Sequence, residues 1–219
     1  MSMLLQREIE KLKKMISSLG ARVEEGLEKS VRAVHQRDDA LAAEVVAADP
    51  DIDMMEVNIE EECLKVLALH QPVANDLRFI IAVLKVNKDI ERIGDLAAGI
   101  AEQVRHLAED GPEEVPYDLL GMANKVRAMV RDSLDALLGQ DAAIAQRVRE
   151  ADDEVDAMDR LMYPETRAAI RERPDKMEGY IRLLRVSQNL ERIADHATNI
   201  AEDVIYLTEG RIIRHTTPS

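Results

Sequence analysis

Apolar residues return every three or four positions over long stretches of this chain, the spacing of one face of an α-helix. From Val83 they step through Val86, Ile90, Ile93, Ala97, Ile100, Val104 and Leu107, and one hundred residues later through Leu183, Val186, Leu190, Ile193, Ala197, Ile200, Val204 and Leu207. Alternating threes and fours predict bundle helices that meet along a seam. A second rhythm runs through Leu41, Val45, Ala48, Ile52, Met55 and Ile59, and again, at an offset of 103, through Ile144, Val148, Ala151, Val155, Met158 and Met162. An opening helix precedes each, through Leu5, Ile9, Leu12, Ile16, Leu19 and Val23 and through Leu119, Ala123, Val126, Val130 and Leu137. The pattern predicts an all-α chain of six helices, with no strand, in two tandem three-helix bundles over residues 1–110 and 114–219.

Breaks in the pattern agree with this division. The stretch from Glu109 to Pro116, EDGPEEVP, holds one Gly and two prolines and reads as the linker. Gln71-Pro72 and Arg173-Pro174 mark the turns before the third helices, each Pro at a first helical position where its missing N–H costs little. Pro50 and Pro164 fall inside the second helices and are expected to kink them. Asp49-Pro50 also reads as an N-cap followed by a first helical residue.

Composition narrows the function classes. Aromatics make up only 2%, so the core has to be aliphatic. The longest apolar run, Phe79 to Leu84, ends at Lys85, far short of a membrane span. The N-terminus MSMLLQREIEKLKK is amphipathic rather than a signal peptide, which points to the cytoplasm and away from membrane insertion. The single cysteine, Cys63, excludes an internal disulfide and a multi-thiolate zinc site, and fits a small core position. A formal charge of −14 with no segregated basic stretch argues against nucleic acid as a partner and suits a chain that gathers cations.

The acidic residues are themselves patterned. ERIGD, from Glu91 to Asp95, returns as ERIAD, from Glu191 to Asp195; the second helices carry Asp49 with Asp53 and, correspondingly, Asp152 with Asp156. Residues four apart share a helix face. In an antiparallel hairpin, facing residues have a constant position sum. Asp49 with Asp95 and Asp53 with Glu91 share the sum 144, centred on Pro72; Asp152 with Asp195 and Asp156 with Glu191 share 347, centred between Arg173 and Pro174. Each hairpin should therefore gather four carboxylates in two layers, about 5–6 Å apart. Like charges so placed are destabilising without a cation. Oxygen donors without thiolate suit magnesium, calcium, manganese or iron, and their number suggests several ions. Any single acidic pair in so acidic a chain reads as a solvated face; four pairs, duplicated and level, favour metal. Asn199, one turn beyond Asp195, adds a neutral oxygen that Gly99 cannot supply in the first half, so the second half is expected to hold metal more tightly. None of His35, His70, His106, His196 and His215 has Glu three residues before it, which excludes the ferritin-like di-iron pattern. There is no Gly-rich phosphate loop and no Ser nucleophile with a recognisable base.

With the paired acidic motifs, the NIAE run from Asn199 to Glu202 and the HQPVANDLR turn from His70 to Arg78, the chain resembles the PhoU family of phosphate-uptake regulators over nearly its whole length. The resemblance implies a cytoplasmic six-helix homodimer without catalytic residues, with iron, zinc, manganese or magnesium bound in multinuclear sites on these motifs. It implies negative regulation of phosphate uptake and of the phosphate regulon, with two partners: the ATPase subunit of the phosphate ABC transporter and a PhoR-type sensor histidine kinase. A metal-dependent phosphohydrolase is the alternative, and would need cationic side chains converging on the metals, where only Arg92 and Arg192 are near in sequence.

Overall fold

The structure, a computed structural model, describes residues 3–112 and 114–210. Glu113 of the expected linker, His215 and the outermost ends of both expected repeats lie outside the described residues. The helices are α1 (Met3–Gln36), α2 (Asp39–His70), α3 (Ala74–Ala101), α4 (Val104–Asp110), α5 (Leu119–Gly139), α6 (Ala142–Glu172) and α7 (Met177–Glu209), and there is no strand among the described residues. All sixteen expected third-helix seam positions are buried, from Val83 to Leu107, the last two of these on α4, and from Leu183 to Leu207. On the second helices Ala48, Met55, Ala151 and Met158, which flank the acidic edge of the seam, stay half-buried, and so does Ile144 at the start of α6.

α1, α2 and α3 form one bundle and α5, α6 and α7 the other; α3 lies against α7, and α1 against α5. One continuous apolar cluster runs through both. α3 and α7 are antiparallel, and polar pairs cross between them: Asp89 Oδ1 is 2.8 Å from His196 Nδ1, and Lys85 Nζ is 3.3 Å from Asp203 Oδ1. Arg127 and Arg131 of α5 reach Glu28 and Glu24 of α1 at 2.7 and 3.4 Å. Gly20 permits the α1–α5 approach, since a Cβ there would sit 2.7 Å from Leu134 Cδ1.

Three expectations are corrected by the backbone. The third rod of the first half is not one helix: Glu102 and Gln103 interrupt it, whereas α7 runs through the corresponding point. The Gln103 N–H turns to Ile100 O, and the carbonyl of Gly99, the weak helix former that the second half lacks, instead accepts the Gln103 side chain at 3.2 Å. Pro72 is not a first helical residue; α3 begins at Ala74 after an N-cap at Val73. Pro174 does hold the expected first helical position, in a short 3-10 turn, Pro174–Lys176, after which α7 starts. Pro50 and Pro164 sit inside unbroken helices, so Asp49 is not a cap; the caps are Asp38, whose side chain accepts from Leu41 N, and Asp141, which accepts from Ala143 N and Ile144 N.

Each first-to-second corner is built alike, from a left-handed residue followed by an aspartate cap: Arg37 (φ 55°) before Asp38 and Gln140 (φ 51°) before Asp141. In the first half the Arg37 side chain then ties down the chain between the bundles, donating to Leu107 O at 2.8 Å, to Gly111 O at 3.3 Å and to Pro112 O. Leu107 O also accepts from Gly111 N at 3.0 Å, and the Gly111 and Pro112 carbonyls lie just beyond α4. Arg37→Ala is expected to lower stability by about 1–3 kcal/mol, the scale of lost hydrogen bonds to a charged donor. Urea unfolding measures this, and an unchanged midpoint would show that water replaces the guanidinium without loss.

Candidate metal centre

The buried isoleucines of the motifs orient the acids beside them. Ile52 and Ile59 on α2 and Ile90 and Ile93 on α3 are fixed in the core, which turns Asp49, Asp53, Glu91 and Asp95 to the rim where the two helices meet. Gly94 lets the helices close there, because a Cβ would stand 3.2 Å from Ile52 Cγ2 and 3.6 Å from Val23 Cγ2. One oxygen from each of Asp53, Glu91 and Asp95 lies within 4.8 Å of the others. Asp49 has Asp95, Asp53 and Glu102 as electrostatic neighbours; burial, then these charges, hold its carboxyl above the ordinary value. Glu91 is raised by burial and then by Asp95; Arg92 opposes, ahead of the further raising effects of Asp53 and Glu56. Arg92 Nη1 reaches Asp95 Oδ2 at 2.6 Å, and its Nε lies 3.5 Å from Glu91 Oε2.

The α6–α7 hairpin repeats the arrangement with more negative charge held inward. Burial, followed by Asp195, Asp159, Asp156 and Asp152, pushes Glu191 up to about 7. Asp152 rises to about 6 through burial, Asp195 and Asp156, with the neighbouring Thr198 working the other way. Burial raises Asp195 and Asp159 as well, each with Asp156 as the next cause. Arg160, anchored on the Asp156 backbone carbonyl, places Nη2 3.4 Å from Asp156 Oδ2. Thus eight of the nine residues singled out from the sequence come together as two groups of four, at the levels given by the constant position sums.

Asn199 is placed differently. Its amide nitrogen lies 3.5 Å from Asp89 Oδ1 beside His196, so its recorded contact joins α7 to α3. Its counterpart, Gly99, packs in the same seam, where a Cβ would meet Asn189 Nδ2 at 3.2 Å. The sequence reading missed Glu56, Asp159 and Thr198. A signal for the first two existed: they stand three residues after Asp53 and Asp156 and share the offset of 103 with them.

The donor chemistry of both groups is that of a hard cation's ligands, but among the described residues only Asp53, Glu91 and Asp95 bring three carboxylate oxygens within 4.8 Å of one another. Every donor is oxygen, and Asp49 Oδ1, Glu91 Oε2 and Asp159 Oδ1 are enclosed without a hydrogen bond. An enclosed carboxylate oxygen with no donor is destabilising, and a bound cation removes both this deficit and the repulsion among neighbours. Arginines also engage the two groups: Arg92 pairs with Asp95 and Glu91, and Arg160 with Asp156.

A family model described as the PhoU domain matches residues 16–104 and again 119–204. The chain is 38% identical to a phosphate-specific transport system accessory protein PhoU homolog of Pseudomonas putida, over 95% of this chain and 82% of that protein. It is also 38% identical to the protein of the same description from Aquifex aeolicus, over 97% and 96%. The crystal structure of PhoU from Pseudomonas aeruginosa superposes with a TM-score of 0.89 at 36% identity, covering 94% of this chain and 99% of that one. That of the phosphate transport system regulatory protein PhoU from Streptococcus pneumoniae does so at 0.85 and 30%, covering 95% and 98%.

Proposed function

The chain belongs to the PhoU family, and on that premise we propose that it is a non-enzymatic accessory protein of phosphate-specific transport that represses phosphate uptake and the phosphate regulon. In this reading it is a cytoplasmic homodimer that links the ATPase subunit of the phosphate ABC transporter to a PhoR-type sensor histidine kinase. No described helix is long and apolar enough to cross a membrane, which fits an accessory that docks on a transporter rather than forming part of its channel. The observation that carries the reading is the double match of the PhoU domain along this chain, together with relatives named as phosphate-specific transport system accessory proteins. The clustered, partly buried carboxylates of the two hairpins are proposed to bind iron, zinc, manganese or magnesium, which would rigidify the helical faces that partners meet.

Deleting the gene is expected to derepress a phosphate-starvation reporter and to deregulate phosphate uptake in phosphate-replete medium. A deletion strain indistinguishable from its parent in both measurements would end the regulatory assignment. Uptake that changes while the reporter stays silent would retain the transporter link and remove the kinase.

A further inference from the structure

We propose that the cavity at the junction of the two bundles is a binding site for a small amphipathic carboxylate, a short acyl chain with an anionic head. Neither the metal reading nor the regulatory one is needed for it. The cavity originates in a difference of helix length. The corners after α1 and α5 correspond at the offset of 103, from the left-handed Arg37 and Gln140 to the caps Asp38 and Asp141. Counted back from these corners, α1 has 34 residues and α5 only 21. In the first half the additional turns of α1 bring Leu5, Ile9 and Leu12 into the core. At the same offset the second half has Ala108, Pro112 and Val115, in α4 and the irregular chain that joins the bundles. Val115 is 42% exposed, whereas its counterpart Leu12 is wholly enclosed. A cavity of about 310 Å³ results, walled by Leu183, Val186 and Leu190 of α7, Val34 of α1, Leu107 of α4 and Tyr117 of the joining chain.

Such a volume falls in the range of small-molecule sites, and aliphatic walls give water few polar partners. That selects an apolar body. The head is selected where His35, Arg37, Asp118 and Leu120 line the more exposed rim. The Asp118 carboxylate is met by the N-terminus of α5, which it caps by accepting from Gly121 N at 2.8 Å. Arg37 donates to the carbonyls of Leu107, Gly111 and Pro112, all neutral, and has no ion pair among the described residues. Its half-buried positive charge is thus fixed by backbone and balanced by no acid, in a chain whose formal charge is −14. A guanidinium so held favours an anionic head over a neutral one, and a single positive charge matches a carboxylate better than a doubly charged phosphate. An occupant touches both bundles and the chain between them, so binding braces the junction of the halves.

Isothermal titration of the full chain with octanoate, kept below the concentration at which it forms micelles, tests this, with octanol as the neutral counterpart. Saturable binding of one octanoate per chain is expected, with octanol weaker by about tenfold or more, the scale of a hydrogen bond to a charged group. Octanoate should also raise the melting temperature, as a ligand of the native state does. Ala123→Phe fills the cavity from α5 and is expected to abolish binding. Because Ala123 is wholly buried, that variant can fail to fold, and Leu120→Glu at the exposed rim serves beside it. The new carboxylate opposes the ligand's own without entering the core, and is expected to weaken octanoate by about tenfold or more while leaving octanol unchanged. Absence of saturable octanoate binding to the parent, octanol bound as tightly as octanoate, or octanoate binding unchanged in either folded variant would each overturn the proposal.

Discussion

Stripping bound metal with EDTA is expected to lower the melting temperature strongly at pH 8 and hardly at all near pH 5. In the metal-free fold Glu191 keeps its proton up to about 7, against an ordinary value of 4.5, and Asp152 up to about 6, against 3.8. Asp49, Glu91, Asp159 and Asp195 are displaced in the same direction by burial and by one another. Between the ordinary and the raised values the folded chain binds more protons than the unfolded one, so stability falls as pH rises through this window and levels off above it. The metal-free protein is therefore at its best on the acid side, near pH 5. Carboxyls such as Glu25, Glu62, Glu154 and Asp175 work oppositely, because hydrogen bonds from Lys29, Lys11, Lys125 and Arg173 lower them; what they contribute is lost only as pH falls below the ordinary carboxyl range. Cations need the ionised form, so their affinity rises across the same window in which the empty fold weakens. At a free metal concentration one hundred times Kd, each site adds about 2.7 kcal/mol. For a chain of this size that is roughly 5–10 °C per site. Calorimetry with and without chelator at the two pH values measures the gap; equal gaps at both would mean that the clusters are solvated faces without a linked cation.

Those clusters were legible because two independent sequence signals agreed. The turns set by Pro72 and Pro174 and the levels required by the acids gave the same hairpin centres, and an apolar seam had already fixed which face the acids adjoin. The seams hold at every third-helix position because aliphatic burial is insensitive to local detail. What failed to show in the sequence depends on side-chain direction and on non-glycine backbone. Arg37 and Gln140 adopt the left-handed conformation with nothing in their chemistry to announce it, and only the aspartate caps after them carry a signal. The break at Glu102 and Gln103 arises when one side chain captures one carbonyl, an event no periodicity records. Asn199 and Asn87 are both asparagines one turn from a motif acid. Periodicity cannot say that one amide reaches across to α3 while the other is enclosed between α2 and α3; that follows from how the halves pack.

Within ERIAD the isoleucine and the glutamate are expected to act with opposite signs. Ile193 is fully buried, between two residues that face the rim. Ile193→Ala removes several methylene-sized groups and leaves a cavity, and is expected to destabilise the fold by about 2–5 kcal/mol whether or not metal is bound. That corresponds to a fall in melting temperature of roughly 4–20 °C. Glu191→Gln removes no packing; it deletes the charge that Asp195, Asp159, Asp156 and Asp152 all oppose. The metal-free Gln variant should therefore melt above the parent at pH 8 and alongside it at pH 5, where Glu191 is already protonated. In excess metal the order should reverse, since the parent gains the cation and the variant has lost a ligand. Arg192, exposed on the same turn, should behave as a surface charge and change either state by less than about 1 kcal/mol when truncated. The crossing of the parent and Gln curves is the decisive observation, because a structural role for Glu191 would make the variant less stable in both conditions. A Glu191→Gln chain that melts below its parent at pH 8 without metal would show that the acid stabilises the fold directly, and that the repeated motif is retained for packing rather than for a cation.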